Sequence, residues 1–248
     1  MTPSPSSEVV RAARGSAADG EIKRAYVRRM FAAVAPRYDL LNHLLSLNLD
    51  RRWRRAAVAR LGWEARPDGV YLDLCAGTMD LAAALAREPR FRGRVIGADF
   101  VVPMLALGRG KSARAAPVAA DALLLPFPDR AFDGALVGFG VRNLTDLDAG
   151  LRETARVLRP GARFVVLEFA TPRFAPLRAI YLLYFRRVLP AIGRAVSKHR
   201  DAYTYLPESV KTFPEPEALA ARMRAAGFAD VRFELLAGGI CAVHHGTR

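Results

Sequence analysis

Residues 71–82, YLDLCAGTMDLA, have the outline of a strand, a turn and a helix. The first four residues are mostly apolar, as in a buried strand, and the last four have the pattern of a helix start. Gly77 lies at the turn, where a residue without a Cβ lets the backbone approach a ligand closely. N–H groups at the start of the helix can bind an anionic group, because a helix N-terminus is partly positive. The stretch therefore predicts a cofactor loop, although Ala76 and Met79 occupy positions where glycine is common.

Carboxylates stand at three successive strand ends. Asp73 ends the first strand, Asp99 closes the second in VIGADF, and Asp121 follows the third. In an open parallel sheet the ligand lies beyond these carboxyl ends, and an acidic residue at the second strand can accept hydrogen bonds from ribose hydroxyls. Three carboxylates without a dinucleotide glycine pattern favour S-adenosylmethionine, a cationic sulfonium, over the anionic pyrophosphate of NAD. Aspartates that only cap helices are the structural alternative.

Short apolar runs alternate with helical patterns through the centre of the chain, which predicts a parallel sheet covered on both faces. A further helix and two strands hinged at Gly238 and Gly239 follow. This order is expected of a class I S-adenosylmethionine-dependent methyltransferase, α/β and Rossmann-like, with a seven-stranded, mostly parallel sheet and a C-terminal antiparallel hairpin. A dehydrogenase would more often add a sixth parallel strand. The five predicted parallel strands are 69–76, 93–100, 116–121, 132–139 and 163–170.

A chain of 248 residues with 52% apolar residues can bury one large core. We expect one domain over 21–248, with N-terminal helices at 21–66, a basic helical insertion at 172–211 and a disordered polar leader at 1–20. The two cysteines, Cys75 and Cys241, form no C-x-x-C pair, so no disulfide framework or metal site is expected and a cytoplasmic protein is predicted. No run approaches the roughly 18 apolar residues of a membrane span.

The net charge of +14 is concentrated in two flanking segments. Residues 1–66 carry 13 Lys and Arg against 6 Asp and Glu, and residues 172–211 carry 8 against 2. A basic surface suits nucleic acid, anionic lipid headgroups or an acidic substrate. A solvated surface without a partner is an equally good interpretation of the same charges.

After the fourth strand the chain reads GFGVRNLTD, residues 138–146. Amino-group methyltransferases often carry Asn/Asp-Pro-Pro-aromatic at this point, and cytosine C5 enzymes use Pro-Cys; neither is present, which argues against nucleic acid as substrate. Arg142 and Asn143 take the position that faces the methyl donor. Because arginine is not deprotonated in a protein, Arg142 suits anion binding better than base catalysis.

The segment GRGKS, residues 108–112, looks like the end of a phosphate-binding loop. Leu105 stands where the first glycine of such a loop should be, and the segment follows a helical pattern rather than a strand. We therefore expect no phosphate-binding loop here.

Five motifs together give the chain a family resemblance from about Lys23 to the C-terminus. The chain closely resembles the ubiquinone/menaquinone biosynthesis C-methyltransferases. That resemblance implies a class I fold, S-adenosylmethionine as donor and a polyprenylated quinol methylated on a ring carbon. The motifs are YDLLNHLLSLNLDRRW (38–53), LDLCAGTMDLA (72–82), LPFPDRAFDGALVGFGVRNLTD (125–146), RVLRPGARFVVLEF (156–169) and DAYTYLPESV (201–210).

The resemblance also implies roles for individual residues. The residues that match donor-binding positions are Thr78, Asp99, Asp121 and Ala122, with Gly138 in place of a serine, and they join Asp73 and Gly77 of the predicted loop. Tyr38, Arg142 and Asn143 match positions that line the quinol pocket. The departures from the family pattern are Ala76, Met79, Gly138, Ala162 and Asp50, the last in place of a histidine. They leave open a divergent donor- or quinone-binding protein with weak or altered activity.

The expected reaction is displacement at the sulfonium methyl by a quinol ring carbon made nucleophilic by loss of a neighbouring hydroxyl proton. Arg142 and Asn143 would hold the quinol oxygens, Tyr38 would orient the ring or relay a proton, and water would accept it. His43 and His199 are alternative bases.

A polyprenyl substrate gives the basic insertion three interpretations: a peripheral membrane helix, a lid over the prenyl tail, or a core helix with an arginine-rich outer side. Attachment to the inner face of the cytoplasmic membrane, an anionic membrane surface as partner, a homodimer and a quinone-biosynthesis complex are all compatible with the sequence. The apolar positions are Leu177, Tyr181, Tyr184, Val188, Ile192 and Val196, and the arginines are Arg178, Arg186, Arg187 and Arg194.

Overall fold

A computed structural model describes residues 20–188 and 200–248. The helices are α1 (Gly20–Val34), α2 (Tyr38–Leu45), α3 (Leu49–Arg60), α4 (Asp80–Ala86), α5 (Val102–Gly108), α6 (Leu147–Val157), α7 (Ala175–Leu183), α8 (Arg200–Thr212) and α9 (Pro216–Ala225). The strands are β1 (Val70–Leu74), β2 (Arg94–Asp99), β3 (Ala115–Ala119), β4 (Phe132–Gly138), β5 (Leu158–Phe169), β6 (Ala229–Leu236) and β7 (Cys241–Thr247). A 3₁₀ turn covers Val141–Asn143, and a π-helical turn, Tyr184–Val188, continues α7.

The described strands form one seven-stranded sheet in the order β3-β2-β1-β4-β5-β7-β6. Strands β1 to β5 pair in parallel, and β7 runs antiparallel between β5 and β6. This arrangement confirms the predicted fold class, including the terminal hairpin that turns at Gly238 and Gly239. The sheet order reverses between β1 and β4, so the carboxyl ends of β1, β2 and β4 face the expected ligand crevice.

Alternate residues of the strands pack into two different cores, one on each face of the sheet. Leu72 and Leu74 of β1 join the core beneath α6 and α9, whereas Tyr71 joins the core beneath α3 and α4. The period of two in a strand sends neighbouring side chains to opposite faces, and helices cover both. The near-continuous apolar runs in the sequence follow from this two-sided burial.

The boundaries of the predicted strands agree with the observed ones to within two residues, except at the start of β5. Strand β5 begins at Leu158, five residues before the predicted start, because Leu158 already pairs with Phe132 of β4 ahead of a register shift. Helix α5 ends at Gly108, so GRGKS begins at the last residue of the helix and continues beyond it. Most of the predicted leader falls outside the described residues, as do Ile192, Arg194, Val196 and His199. Within the described ranges, no helix has both the length and the hydropathy needed to cross a bilayer.

Candidate active site

The turn between β1 and α4 is held in a left-handed backbone conformation at three residues. Cys75, Gly77 and Met79 have φ values of 52°, 53° and 63°. Asp99 at the end of β2 fastens this turn, since its carboxylate accepts hydrogen bonds from the N–H of Gly77 and of Val101, each at 2.8 Å. Burial raises the pKa of Asp99. The predicted loop residues Gly77 and Asp99 therefore form one unit.

Met79 occupies a position that favours glycine, and two glycines elsewhere make room for its side chain. The side chain is fully buried. A Cβ at Gly97 would lie 2.9 Å from Met79 Cε, and a Cβ at Gly108 would lie 2.7 Å from Met79 Cγ. Because real Cβ atoms do not approach so closely, Met79 is accommodated only where Gly97 and Gly108 lack side chains.

A small cavity of about 30 Å³ brings together Asp99, Asp121, Ala122 and Asn143 beyond the carboxyl ends of β2 and β4. Arg24 of α1 also lines it, and its guanidinium lies 2.9 Å from the Asp121 carboxylate. Three of the residues predicted to bind the donor, Asp99, Asp121 and Ala122, thus line one cavity, and their contacts with the donor stay a prediction.

Asp73 and Gly138 are not among the residues lining this cavity. Asp73 is buried, and its carboxylate accepts a hydrogen bond from the N–H of Ala82 in the first turn of α4, at 2.8 Å. Burial raises the pKa of Asp73 to about 8. A Cβ at Gly138 would lie 2.7 Å from Leu81 Cδ1. A side chain at 138 would therefore require the Leu81 side chain to shift, which agrees with the presence of glycine in place of the family's serine.

A second, larger cavity of about 370 Å³ lies between α1–α3 and the insertion formed by α7 and α8. Its wall is mostly apolar and aromatic. The predicted quinol-pocket residues Tyr38 and Arg142 both line it. Burial raises the pKa of the Tyr38 phenol, which keeps it a hydrogen-bond donor rather than a base. The ionisable lining residues are Tyr38, Asp50, Arg54, Arg142, Tyr181, Tyr184 and Tyr205.

Arg142 is held rigidly in this wall. Its guanidinium is 2.8 Å from the buried Glu168 carboxylate, donates to the carbonyl of Phe139 and lies 5.4 Å from the centroid of the Phe169 ring. Burial raises the pKa of Glu168, while the charge of Arg142 opposes that shift. Across the described residues, neither Arg142 Nε nor the hydroxyl of Tyr181 has a hydrogen-bond partner. Buried polar groups normally have one, so these two donors are available to ligand oxygens.

Asn143 lies on the other side of this wall, in the small cavity. The 3₁₀ turn sends the side chains of Arg142 and Asn143 in different directions. Tyr205, which lines the large cavity, donates from its hydroxyl to Asn143 Oδ1 at 3.1 Å. The two cavities therefore share one partition, and the role of Asn143 toward a quinol oxygen stays a prediction.

Lys23 supports the turn that carries Arg142, a role that the sequence did not reveal. Its ammonium is buried and donates to the carbonyls of Arg142 and Leu144, at 3.1 and 2.7 Å. Burial, assisted by the charge of Arg142, lowers the pKa of Lys23 to about 8. These contacts pin α1 to the turn that carries Arg142, and no motif marks a lysine that bonds carbonyls so distant in sequence.

Asp50, which departs from the family pattern, is fully integrated into the wall of the large cavity. It accepts hydrogen bonds from His43 Nδ1 at 2.9 Å and Ser46 Oγ at 2.8 Å, and it pairs with Arg54. Burial alone would raise the pKa of Asp50, but these partners hold it below its usual value. His43 is thus oriented by Asp50, and it is not among the residues that line the cavity.

Comparison with known families matches nearly the whole chain. A model of the ubiE/COQ5 methyltransferase family matches residues 20–248. The chain belongs to this family. It is 52% identical to a demethylmenaquinone methyltransferase of Thermus thermophilus over 223 residues, which cover 88% of this chain and 100% of that protein. It is 43% identical to a ubiquinone/menaquinone biosynthesis C-methyltransferase of a Geobacter species, covering 90% and 96% of the two chains.

A solved S-adenosylmethionine-dependent methyltransferase from Thermotoga maritima shares the fold at 20% identity, with a TM-score of 0.61 and coverage of 88% and 98%. The resemblance found in the motifs, the methyltransferase activity and the donor S-adenosylmethionine are thereby confirmed for this member of the ubiE/COQ5 family.

Proposed function

We propose that this methyltransferase transfers the methyl group of S-adenosylmethionine to a ring carbon of a polyprenylated naphthoquinol. The observation that carries the proposal is the partition between the two cavities, because it places the polar groups predicted to bind the donor beside a roomy apolar chamber. The naphthoquinol is preferred over a benzoquinol because the more similar relatives are named for demethylmenaquinone.

Arg142 and Tyr181 are the groups we propose to hold the quinol oxygens. Arg142 Nε and the Tyr181 hydroxyl are buried donors without partners in the described structure, and both residues line the apolar cavity. A fixed positive charge in a dry site stabilises a phenolate-like oxygen and so pushes electron density onto the ring carbon. The hydroxyl proton leaves to water, the S–CH₃ bond breaks as the C–CH₃ bond forms, and the sulfonium becomes a neutral thioether. The methylated carbon then loses its ring proton while the oxygen regains one, so the quinol is restored and one proton is released overall.

The role of each predicted catalytic residue follows from its place. Tyr38 would donate a hydrogen bond to the ring or its oxygens, since its raised pKa favours the neutral phenol. Asn143 would act from the donor side of the partition, held by Tyr205. Donor contacts are proposed for Asp99, Asp121 and Ala122 in the small cavity, while Asp73 would act by holding the first turn of α4.

The Arg142→Lys variant tests this proposal. Lysine keeps the charge opposite Glu168 but lacks the planar guanidinium and its free Nε. With dithionite-reduced demethylmenaquinol in vesicles, we expect methylation to fall by about 100-fold, the typical effect of losing a transition-state donor, while donor affinity stays unchanged. Arg222→Lys, in an exposed pair with Asp148, is the matched control. A wild-type rate in Arg142→Lys contradicts the proposed role, and methylation of a benzoquinol alone contradicts the proposed substrate.

We also propose that the mouth of the large cavity rests on a lipid bilayer. Leu47 and Ile180 line the cavity and yet are 80% and 65% exposed, which places them at its opening. Leu40, Leu44 and Leu183 extend this apolar rim on the outer sides of α2 and α7. The π-helical turn that continues α7 contacts α2 there, because the Tyr184 hydroxyl donates a hydrogen bond to the Leu45 carbonyl at 2.9 Å.

The insertion has one face suited to a lid over the cavity and an opposite face suited to contact with a membrane. Leu177, Tyr181 and Tyr184 of the insertion face the cavity, as the lid interpretation requires, while its outer face carries apolar residues and the exposed Arg187. Exposed apolar groups beside arginines favour an anionic interface. Leu47→Glu with Ile180→Glu should abolish sedimentation with anionic vesicles, whereas Leu107→Glu, at an exposed position of α5, should not. Equal sedimentation of the two variants would exclude this surface.

A further inference from the structure

The GRGKS segment lacks the pattern of a phosphate-binding loop, but its lysine, Lys111, connects elements beside the two cavities. Lys111 Nζ lies 2.6 Å from Asp39 Oδ2 and 2.7 Å from Asp80 Oδ1. Asp80 is the first residue of α4, directly after the turn predicted to bind the donor. Asp39 belongs to α2 and follows Tyr38, which lines the large cavity. One ammonium thus joins the donor turn to the helix that forms the quinol wall.

Asp39 makes a second, direct contact with the donor turn. Its other oxygen, Oδ1, accepts a hydrogen bond from Thr78 Oγ1 at 2.6 Å. A threonine hydroxyl has a single proton. Because that proton is donated to Asp39, the Thr78 oxygen can only accept further hydrogen bonds. It therefore suits a cationic group that donates hydrogen bonds, such as the ammonium group of S-adenosylmethionine. Asp39 therefore fixes the polarity of a residue predicted to contact the donor.

A parallel connection runs back to the large cavity through α3. Arg54 lies 3.4 Å from Asp80 Oδ2 and pairs with Asp50, and both Arg54 and Asp50 line the large cavity. Two helices of the quinol wall are thus connected to Asp80, the residue directly after the donor turn. Helix α3 reaches it through Arg54, and helix α2 reaches it through Asp39 and Lys111. Any displacement of the turn must shift Asp39 or Asp80, and with them the walls that carry Tyr38 and Arg54.

We propose that Asp39 and Lys111 are positioning residues that couple occupation of the donor turn to the shape of the quinol cavity, so that each ligand strengthens the binding of the other. The inference rests on the proposed function for the identity of the second ligand. Coupling of this kind is reciprocal, and factors of about 5 to 150 are usual. Neither residue need touch the reacting atoms.

The test measures binding alone, with the full chain and an oxidised short-chain naphthoquinone, which cannot be methylated. Trp53 lines the large cavity, so quenching of its fluorescence reports naphthoquinone binding. The affinity for S-adenosylmethionine is then measured by titration calorimetry with and without saturating naphthoquinone. We expect about a tenfold gain in donor affinity for the wild type, none for Asp39→Asn or Lys111→Met, and a gain retained in Lys111→Arg. Asp68→Asn, in an exposed pair with Arg92, should behave as the wild type.

The outcomes separate the inference from the function on which it rests. Quenching without any change of donor affinity in the wild type overturns the coupling, and so does a full gain in Asp39→Asn. If Asp39→Asn does not fold, Lys111→Met, at a partly exposed residue, gives the same readout. Absence of quenching in the wild type contradicts the naphthoquinone site itself. A coupled wild type that methylates no quinol refutes the proposed reaction and leaves the coupling standing.

Discussion

Replacing Met79 by glycine restores the residue type that the family favours, and we expect it to destabilise this chain. Met79 has φ 63°, a left-handed conformation that costs a non-glycine residue about 1–2 kcal/mol, so glycine would recover that amount. Truncating a buried methionine costs about 2–5 kcal/mol through lost burial and the cavity left behind. The two ranges combine to a loss of about 0–4 kcal/mol in the free energy of unfolding, and because Met79 is fully buried we expect about 2 kcal/mol or more.

Donor affinity provides the second measurement. The backbone of the turn keeps its conformation in Met79→Gly, and the lost side chain points toward Gly97 and Gly108 rather than into either cavity. We expect the affinity for S-adenosylmethionine to stay within about twofold, a difference of roughly 0.4 kcal/mol. Urea denaturation and titration calorimetry measure the two quantities. A variant as stable as the wild type, or one that binds the donor much more tightly, would refute the reasoning.

A double-mutant cycle checks the packing argument directly. Gly97→Ala alone should destabilise the chain, since its Cβ would lie 2.9 Å from Met79 Cε. In the Met79→Gly background that conflict is gone, and the same substitution should cost less by about 1 kcal/mol or more. Additive effects would show that Gly97 and Met79 do not share the space as described.

Three further predictions follow from packing and burial. Gly138→Ser should cost about 1–3 kcal/mol of stability by overpacking against Leu81, and Leu81→Ala should relieve part of that cost in urea denaturation. Lys23 has a pKa of about 8 in the folded chain, below its usual 10.5. Between these pH values the unfolded chain binds more protons than the folded chain. The stability of the wild type relative to Lys23→Met should therefore rise as the pH increases from about 8 to 10.5. Burial lowers the pKa of His244 from 6.5 to about 4, so stability relative to His244→Gln should fall as the pH drops through this range, which thermal melts at pH 4 to 7 would measure.

The sequence predicted the parts of the molecule whose signals are local. The apolar runs, Gly77 and the carboxylates at Asp99 and Asp121 follow from periodicity and from the rule for strand ends, and the structure brings the two carboxylates to one cavity. Gly238 and Gly239 likewise mark the hinge of the terminal hairpin.

The missed features depend on contacts between residues far apart in the chain. Arg142 and Asn143 are neighbours in sequence, yet a 3₁₀ turn assigns them to different cavities. Lys111 and Asp39 are 72 residues apart, and each alone is an ordinary charged residue. Pairing of this kind has no periodicity, so pattern-based reasoning could not find it. The same holds for Lys23, whose bonds to carbonyls leave no trace in residue type.

Three of the five departures from the family pattern, Met79, Gly138 and Asp50, have a structural explanation in this methyltransferase. Here Met79 fits against Gly97 and Gly108, and Gly138 leaves space that Leu81 fills. Asp50 receives hydrogen bonds from His43 and Ser46 and pairs with Arg54. Because Met79, Gly138 and Asp50 are each matched by their neighbours, these three departures are better explained as an alternative packing of a functional site than as its decay.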